Sequence, residues 1–164
     1  MEPANTMKAN RPAGRYGLLL KQAQALLEGE NDWVANLSNI AALLSSALPQ
    51  INWVGFYRMK GGELLLGPFQ GKPACVHIPV GKGVCGTAVQ RNATQVIPDV
   101  RCFPGHIACD CDSVSELVVP LRAQGRIVGV LDIDSPRAER FGDADARAME
   151  AIAELVSRSC AWDG

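Results

Sequence analysis

At 164 residues the chain is long enough to bury one hydrophobic core and short for two. Hydrophobic residues make up 48%, charged residues 20%, and the net charge is −1, which argues against a broad nucleic-acid surface or a polybasic membrane anchor. No apolar run approaches the ~20 residues of a membrane helix, and the polar start MEPANTMKANRPAG lacks the apolar segment of a secretory signal. The expectation is a cytoplasmic protein, with residues 1–14 as a flexible lead-in and 15–164 as a single domain.

Residues 16–27 carry apolar side chains at helical spacing up to Gly29. Asn31 or Asp32 can cap a second helix, in which Trp33, Leu37, Ile40, Leu44 and Leu48 form one apolar face before Pro49 stops it. NWVGFYRM (52–59) and ELLLGPF (63–69) flank Gly61-Gly62 and predict a β-hairpin. CVHIPV (75–80) predicts a short strand, GKGVCGTAVQRN (81–92) a glycine-rich turn feeding a short helix, and QVIPDV (95–100) another strand. Residues 101–115 lack a clear period and are rich in turn formers; loops of that length in a compact domain are usually functional. Residues 116–135 predict a second hairpin, and Asp143 caps a last helix striped by Ala148, Met149, Ile152, Leu155 and Val156.

Segregated helices and hairpins indicate α+β: a central antiparallel sheet of about six strands with helices on one face. The other face has only the stretch 70–115 to cover it, which makes a pocket between sheet and loop.

Six cysteines in a chain expected in a reducing compartment point to thiol chemistry or metal binding rather than to a disulfide framework. Cys160 fits the packing face of the last helix, while Cys75, Cys85, Cys102, Cys109 and Cys111 crowd into the middle. GKGVCG lacks the full phosphate-loop pattern and reads as a tight turn before a helix, although Lys82 and the amides beside it can hold a carboxylate. The spacing of Cys102, His106, Cys109 and Cys111 matches no paired zinc knuckle, so no metal is expected, and His106 is left as a loop or substrate-orienting residue. Asp132 and Asp134, two apart on one strand, point to the same face and interrupt the apolar run IVGVLDID. Two readings stay open for them: a buried functional site, or a solvent-exposed strand end.

Taken together, WVGFY (53–57), GPFQGKPACV (67–76), IPVGKGVCGTAV (78–89), GHIACD (105–110), SELVVPL (115–121) and GVLDIDS (129–135) resemble the free methionine-(R)-sulfoxide reductases, in the same order along the chain. The resemblance implies a GAF fold, a homodimer, no cofactor, and thiol-dependent reduction of free methionine-(R)-sulfoxide. It makes Cys109, in GHIACD, the catalytic thiol and Cys75, in GKPACV, the resolving one, with Cys85 of GVCG as a second candidate. Cys102 and Cys111 match no functional position. Glu116, Asp132 and Asp134 correspond to the carboxylates that bind the substrate ammonium and polarise the sulfoxide, and Trp53 and Tyr57 to an aromatic wall against its methylthio end. The implied chemistry passes through a cysteine sulfenic acid and an intramolecular disulfide recycled by thioredoxin. The alternative is a non-catalytic GAF module that binds a small ligand or senses redox state.

Strand parity makes the convergence of the carboxylates a question of turn length. A two-residue loop at Gln124-Gly125 pairs Leu117 with Asp132 and sends Glu116 to the opposite face. A three-residue loop, Ala123-Gln124-Gly125, pairs Glu116 with Asp132 and leaves the other face free of charge. The second is expected, because register follows the buried pattern.

Overall fold

The computed structural model describes residues 11–106 and 111–163. Two helices open the fold, α1 (Arg11–Leu27) and α2 (Trp33–Ala47). Helix α1 thus begins inside the segment expected to be a lead-in, whose residues 1–10 lie outside the described residues. The Asp32 carboxylate caps α2 by accepting from the Ala35 N–H at 2.9 Å. Leu48 then turns extended ahead of Pro49, as a residue preceding proline must.

The strands are β1 (Trp53–Lys60), β2 (Glu63–Gln70), β3 (His77–Pro79), β4 (Gln95–Ile97), β5 (Ser115–Ala123) and β6 (Arg126–Ser135). They form one antiparallel sheet in the order β3-β2-β1-β6-β5-β4. A short helix, α3 (Gly83–Arg91), links β3 to β4, and α4 (Asp143–Ser159) closes the described chain. Helix α4 is capped one residue earlier than expected. Gly142 is its N-cap, and the Asp145 carboxylate reaches back to accept from the Gly142 N–H at 2.8 Å.

Alternation along the strands divides two cores. Val54, Phe56, Leu117, Val119, Leu131 and Ile133 pack against α1, α2 and α4, where Leu37, Ile40, Leu44, Met149 and Ile152 are fully buried. Trp53, Tyr57, Val118 and Val130 face the other way, and there α3 contributes Val84, Cys85 and Ala88. The second face is covered by the stretch 70–115, as expected, and within it α3 packs directly on the sheet. Helix α3 is short and half polar, so its periodicity in the sequence was too brief to assign a face.

The β5–β6 hairpin corrects its prediction. Ala123 pairs with Arg126 across a two-residue turn, Gln124 (φ 54°) and Gly125 (φ 74°). Two left-handed residues give the turn whose twist suits a hairpin. A bulge between Leu121 and Arg122 then passes over Val128, after which Glu116 pairs with Asp134 and Val118 with Asp132. The bulge restores the parity that the short turn breaks. Glu116, Asp132 and Asp134 thus share the face away from α1, α2 and α4 as expected, with a different pairing partner.

Gly55 sits on that same face, opposite Asp132. A Cβ built there would lie 2.2 Å from the Phe69 Cβ and 2.9 Å from Trp53 Cη2. The missing side chain lets both aromatics lean over β1. Gly55→Ala is expected to destabilise the fold by about 3 kcal/mol, because the clash is with backbone-proximal atoms that cannot rotate away. Urea denaturation followed by tryptophan fluorescence measures it, and an unchanged midpoint would count against this packing.

Candidate active site

Register places the chemistry. Trp53, Asp134 and Glu116 form a row across β1, β6 and β5, and Gly55, Asp132 and Val118 form the next row. Neighbours in such a row stand about 5 Å apart. The start of α3 lies over them, and a cavity of about 40 Å³ is enclosed between. Trp53, Tyr57, Cys85, Glu116, Asp132 and Asp134 all line it, together with Lys82 and His106.

The aromatic side is built in depth. Trp53 stacks on Tyr57 with ring centres 6.0 Å apart and on Phe69 at 5.2 Å. Phe69 was not singled out from sequence, because a phenylalanine in a strand reads as ordinary core. The Trp53 indole N–H donates to the Lys72 carbonyl at 3.1 Å, and the Tyr57 hydroxyl donates to the Cys75 carbonyl at 3.0 Å. Both bonds hold the segment that carries Cys75 against β1.

The cysteines separate by environment. Cys75 is disulfide-bonded, whereas Cys85, Cys102, Cys111 and Cys160 are free thiols. The expectation of resting thiols therefore holds for these four and not for Cys75. Cys85 is buried in the cavity wall, and Cys102 and Cys111 are exposed. Cys160 packs partly buried against the helix-side core. Cys109 lies outside the described residues.

Glu116 and Asp132 are 7% and 6% exposed, which decides between the two readings left open for the strand: this is no solvated strand end. Asp134, one row away, is half-buried. Burial pushes the Glu116 carboxyl well above its usual range, and the neighbouring Asp132 and Asp134 charges push it further. Burial also raises Asp132, to about 6, while hydrogen bonds with Glu116 and Cys85 hold it down. The Cys85 thiol is raised by burial and then by Asp132, so it stays protonated at neutral pH. His106 is pushed down by burial, and its Nε2 stands 3.9 Å from Glu116 Oε2. Glu116 and Cys85, both pushed toward their protonated forms, hydrogen-bond to Asp132, whose Oδ1 has no hydrogen-bond partner. Such a cluster can donate a proton to a ligand oxygen and neutralise a ligand ammonium.

A raised folded-state pKa favours folding at low pH. The Asp132 contribution is complete below about pH 4 and is lost as pH rises to 6. Relative to Asp132→Asn, the wild-type chain is expected to lose roughly 3 kcal/mol across that window. Chemical denaturation at several pH values tests it, and parallel stability curves for the two proteins would reject the perturbed carboxyl.

Helix α3 presents its positive end to the cavity. Its first bond runs from the Gly86 N–H to the Lys82 carbonyl at 3.0 Å, and Lys82 at the N-cap supplies no side-chain acceptor. The Gly83, Val84 and Cys85 amides accordingly lack intrahelical acceptors. Cys102, His106 and Cys111, which share a stretch of sequence, form no metal-sized group among the described residues, whereas Cys85, Glu116 and Asp132 bring their donor atoms within 4.8 Å of one another.

Comparison with known proteins agrees with this geometry. The model of the GAF domain family matches residues 32–160. The free methionine-R-sulfoxide reductase of Escherichia coli is 52% identical over 141 residues, covering 85% of this chain and 86% of that protein. The Saccharomyces cerevisiae protein of the same name is 45% identical over 152 residues, covering 88% and 84%. Among solved structures, the free methionine-R-sulfoxide reductase of Neisseria meningitidis in complex with its substrate superposes with a TM-score of 0.85 at 44% identity, covering 88% of this chain and 87% of that one. On the fold, the domain match and these relatives, the chain belongs to the GAF-domain family and, within it, to the free methionine-(R)-sulfoxide reductases.

Proposed function

We propose that the chain reduces free methionine-(R)-sulfoxide to methionine, with Cys109 as nucleophile, Cys75 as resolving thiol and thioredoxin as the external reductant. The observation that carries the reading is the pocket itself. Buried, partly protonated carboxylates face a stacked aromatic wall, beside a cysteine that is already disulfide-bonded.

The Cys109 thiolate attacks the sulfoxide sulfur while a cluster carboxyl protonates the oxygen, because an unprotonated sulfoxide oxygen leaves poorly. The protonated oxygen leaves as water while the Cys109–sulfur bond forms a sulfonium. Water then attacks the Cys109 sulfur and breaks that bond, so methionine departs with the electron pair and Cys109 is left as a sulfenic acid. The Cys75 thiol condenses with it, expelling water and forming a disulfide. A dithiol protein then returns both thiols by exchange. Supporting the pairing, Cys75 is disulfide-bonded while Cys85, Cys102, Cys111 and Cys160 are free. Cys85 is the second candidate for the resolving role should Cys75 not fill it.

The zwitterionic head of a free amino acid suits the polar side: ammonium against Glu116, Asp132 and Asp134, carboxylate toward the α3 amides and Lys82. The methylthio end then meets Trp53 and Tyr57. The homodimer that the family resemblance implies is part of the same proposal. No helix among the described residues is long and apolar enough to cross a membrane, in keeping with work in the cytoplasm.

The test is NADPH consumption with thioredoxin and thioredoxin reductase. Turnover is expected on free methionine-(R)-sulfoxide, with none on the (S) epimer or on a peptide whose methionine sulfoxide is internal. Reversible binding without NADPH consumption would favour a sensor instead.

A further inference from the structure

The cluster at the floor of the cavity combines donors that the proposed reduction does not require together. Cys85 comes from α3, Glu116 from β5 and Asp132 from β6. All three are more than nine-tenths buried, and one donor atom from each lies within 4.8 Å of the others. A tetrahedral zinc ion holds its sulfur and oxygen ligands roughly 3.5 Å apart, so small side-chain rotations would close the set. A second observation points the same way. Asp132 Oδ1 is buried without a hydrogen-bond partner, an arrangement that proteins seldom leave unless a ligand completes it. His106 stands at the rim, its Nε2 3.9 Å from Glu116 Oε2, outside the three-donor group.

We propose that Cys85, Glu116 and Asp132 form a binding site for a thiophilic divalent cation, zinc in first place, with the fourth position open to water. The thiolate selects zinc over magnesium or calcium, which prefer all-oxygen sites. The same carboxylates line the pocket in which the proposed reduction places the substrate ammonium. Metal and amino acid therefore compete for the same carboxylates. The site is independent of the reductase reading, since it needs neither Cys109 nor Cys75.

The test titrates the fully reduced full-length chain with Zn²⁺ and with Co²⁺ as a spectroscopic probe. One ion per chain is expected, with a dissociation constant below about 1 μM, a thiolate-to-cobalt charge-transfer band and the visible bands of tetrahedral cobalt. The Cys75→Ser/Cys109→Ser double variant is expected to keep the bands. Cys85→Ser is expected to lose them, and Glu116→Gln to weaken binding at least tenfold. Retention of the bands in Cys85→Ser, their loss in the double variant, or no saturable binding to wild type would each overturn the proposal. Should Cys85→Ser not fold, unchanged zinc affinity in Glu116→Gln and Asp132→Asn would overturn it as well.

Discussion

Cys109→Ser is expected to lower methionine release by a factor on the order of 10⁴ or more, the scale seen when a nucleophile is removed outright. A serine hydroxyl is not ionised at neutral pH and cannot form a sulfenic acid, so both halves of the proposed cycle fail together. The pocket should still bind methionine, since Trp53, Tyr57, Glu116, Asp132 and Asp134 are untouched. The measurement has two parts: methionine release under single-turnover conditions, and labelling by a sulfenic-acid trap after addition of sulfoxide. Methionine release accompanied by labelling in the variant would move the nucleophile to another cysteine, with Cys85 first in the cavity wall.

The second large effect separates attack from recycling. Cys75→Ser is expected to release about one methionine per chain in a burst and then stall, because nothing condenses with the sulfenic acid. Steady-state turnover with thioredoxin should fall by at least about 100-fold while the burst amplitude is kept, a split between chemistry and regeneration that rate measurements resolve. The hydrogen bond from the Tyr57 hydroxyl goes to the Cys75 carbonyl, so serine keeps the backbone anchor and removes only the sulfur. Sustained thioredoxin-dependent turnover would assign the resolving step elsewhere. Cys111, exposed and two residues from Cys109, and Cys85 are the thiols to replace next.

The carboxylate cluster shows how far local sequence carries. That Asp132 and Asp134 share a face follows from strand periodicity alone, and so does the apolar face opposite. Which strand positions meet does not. The hairpin reaches the right face through a two-residue turn and a bulge at Val128 rather than through a three-residue turn. Both routes satisfy the same buried pattern, so alternation in the sequence does not distinguish them.

By itself the sequence determined the order of elements, the helical and strand stripes, and the ordered motifs from WVGFY to GVLDIDS that mark the family. These are properties of spacing along one chain, and spacing is what periodicity and motif reading measure. Only the tertiary structure decided that α3 covers the second sheet face, that Phe69 backs Trp53, and that Cys85 sits against Glu116 and Asp132. It also decided that the carboxylates are buried, and hence raised in pKa, rather than solvated. Each of these depends on contacts between elements tens of residues apart, where burial and neighbouring charge set the chemistry of a side chain.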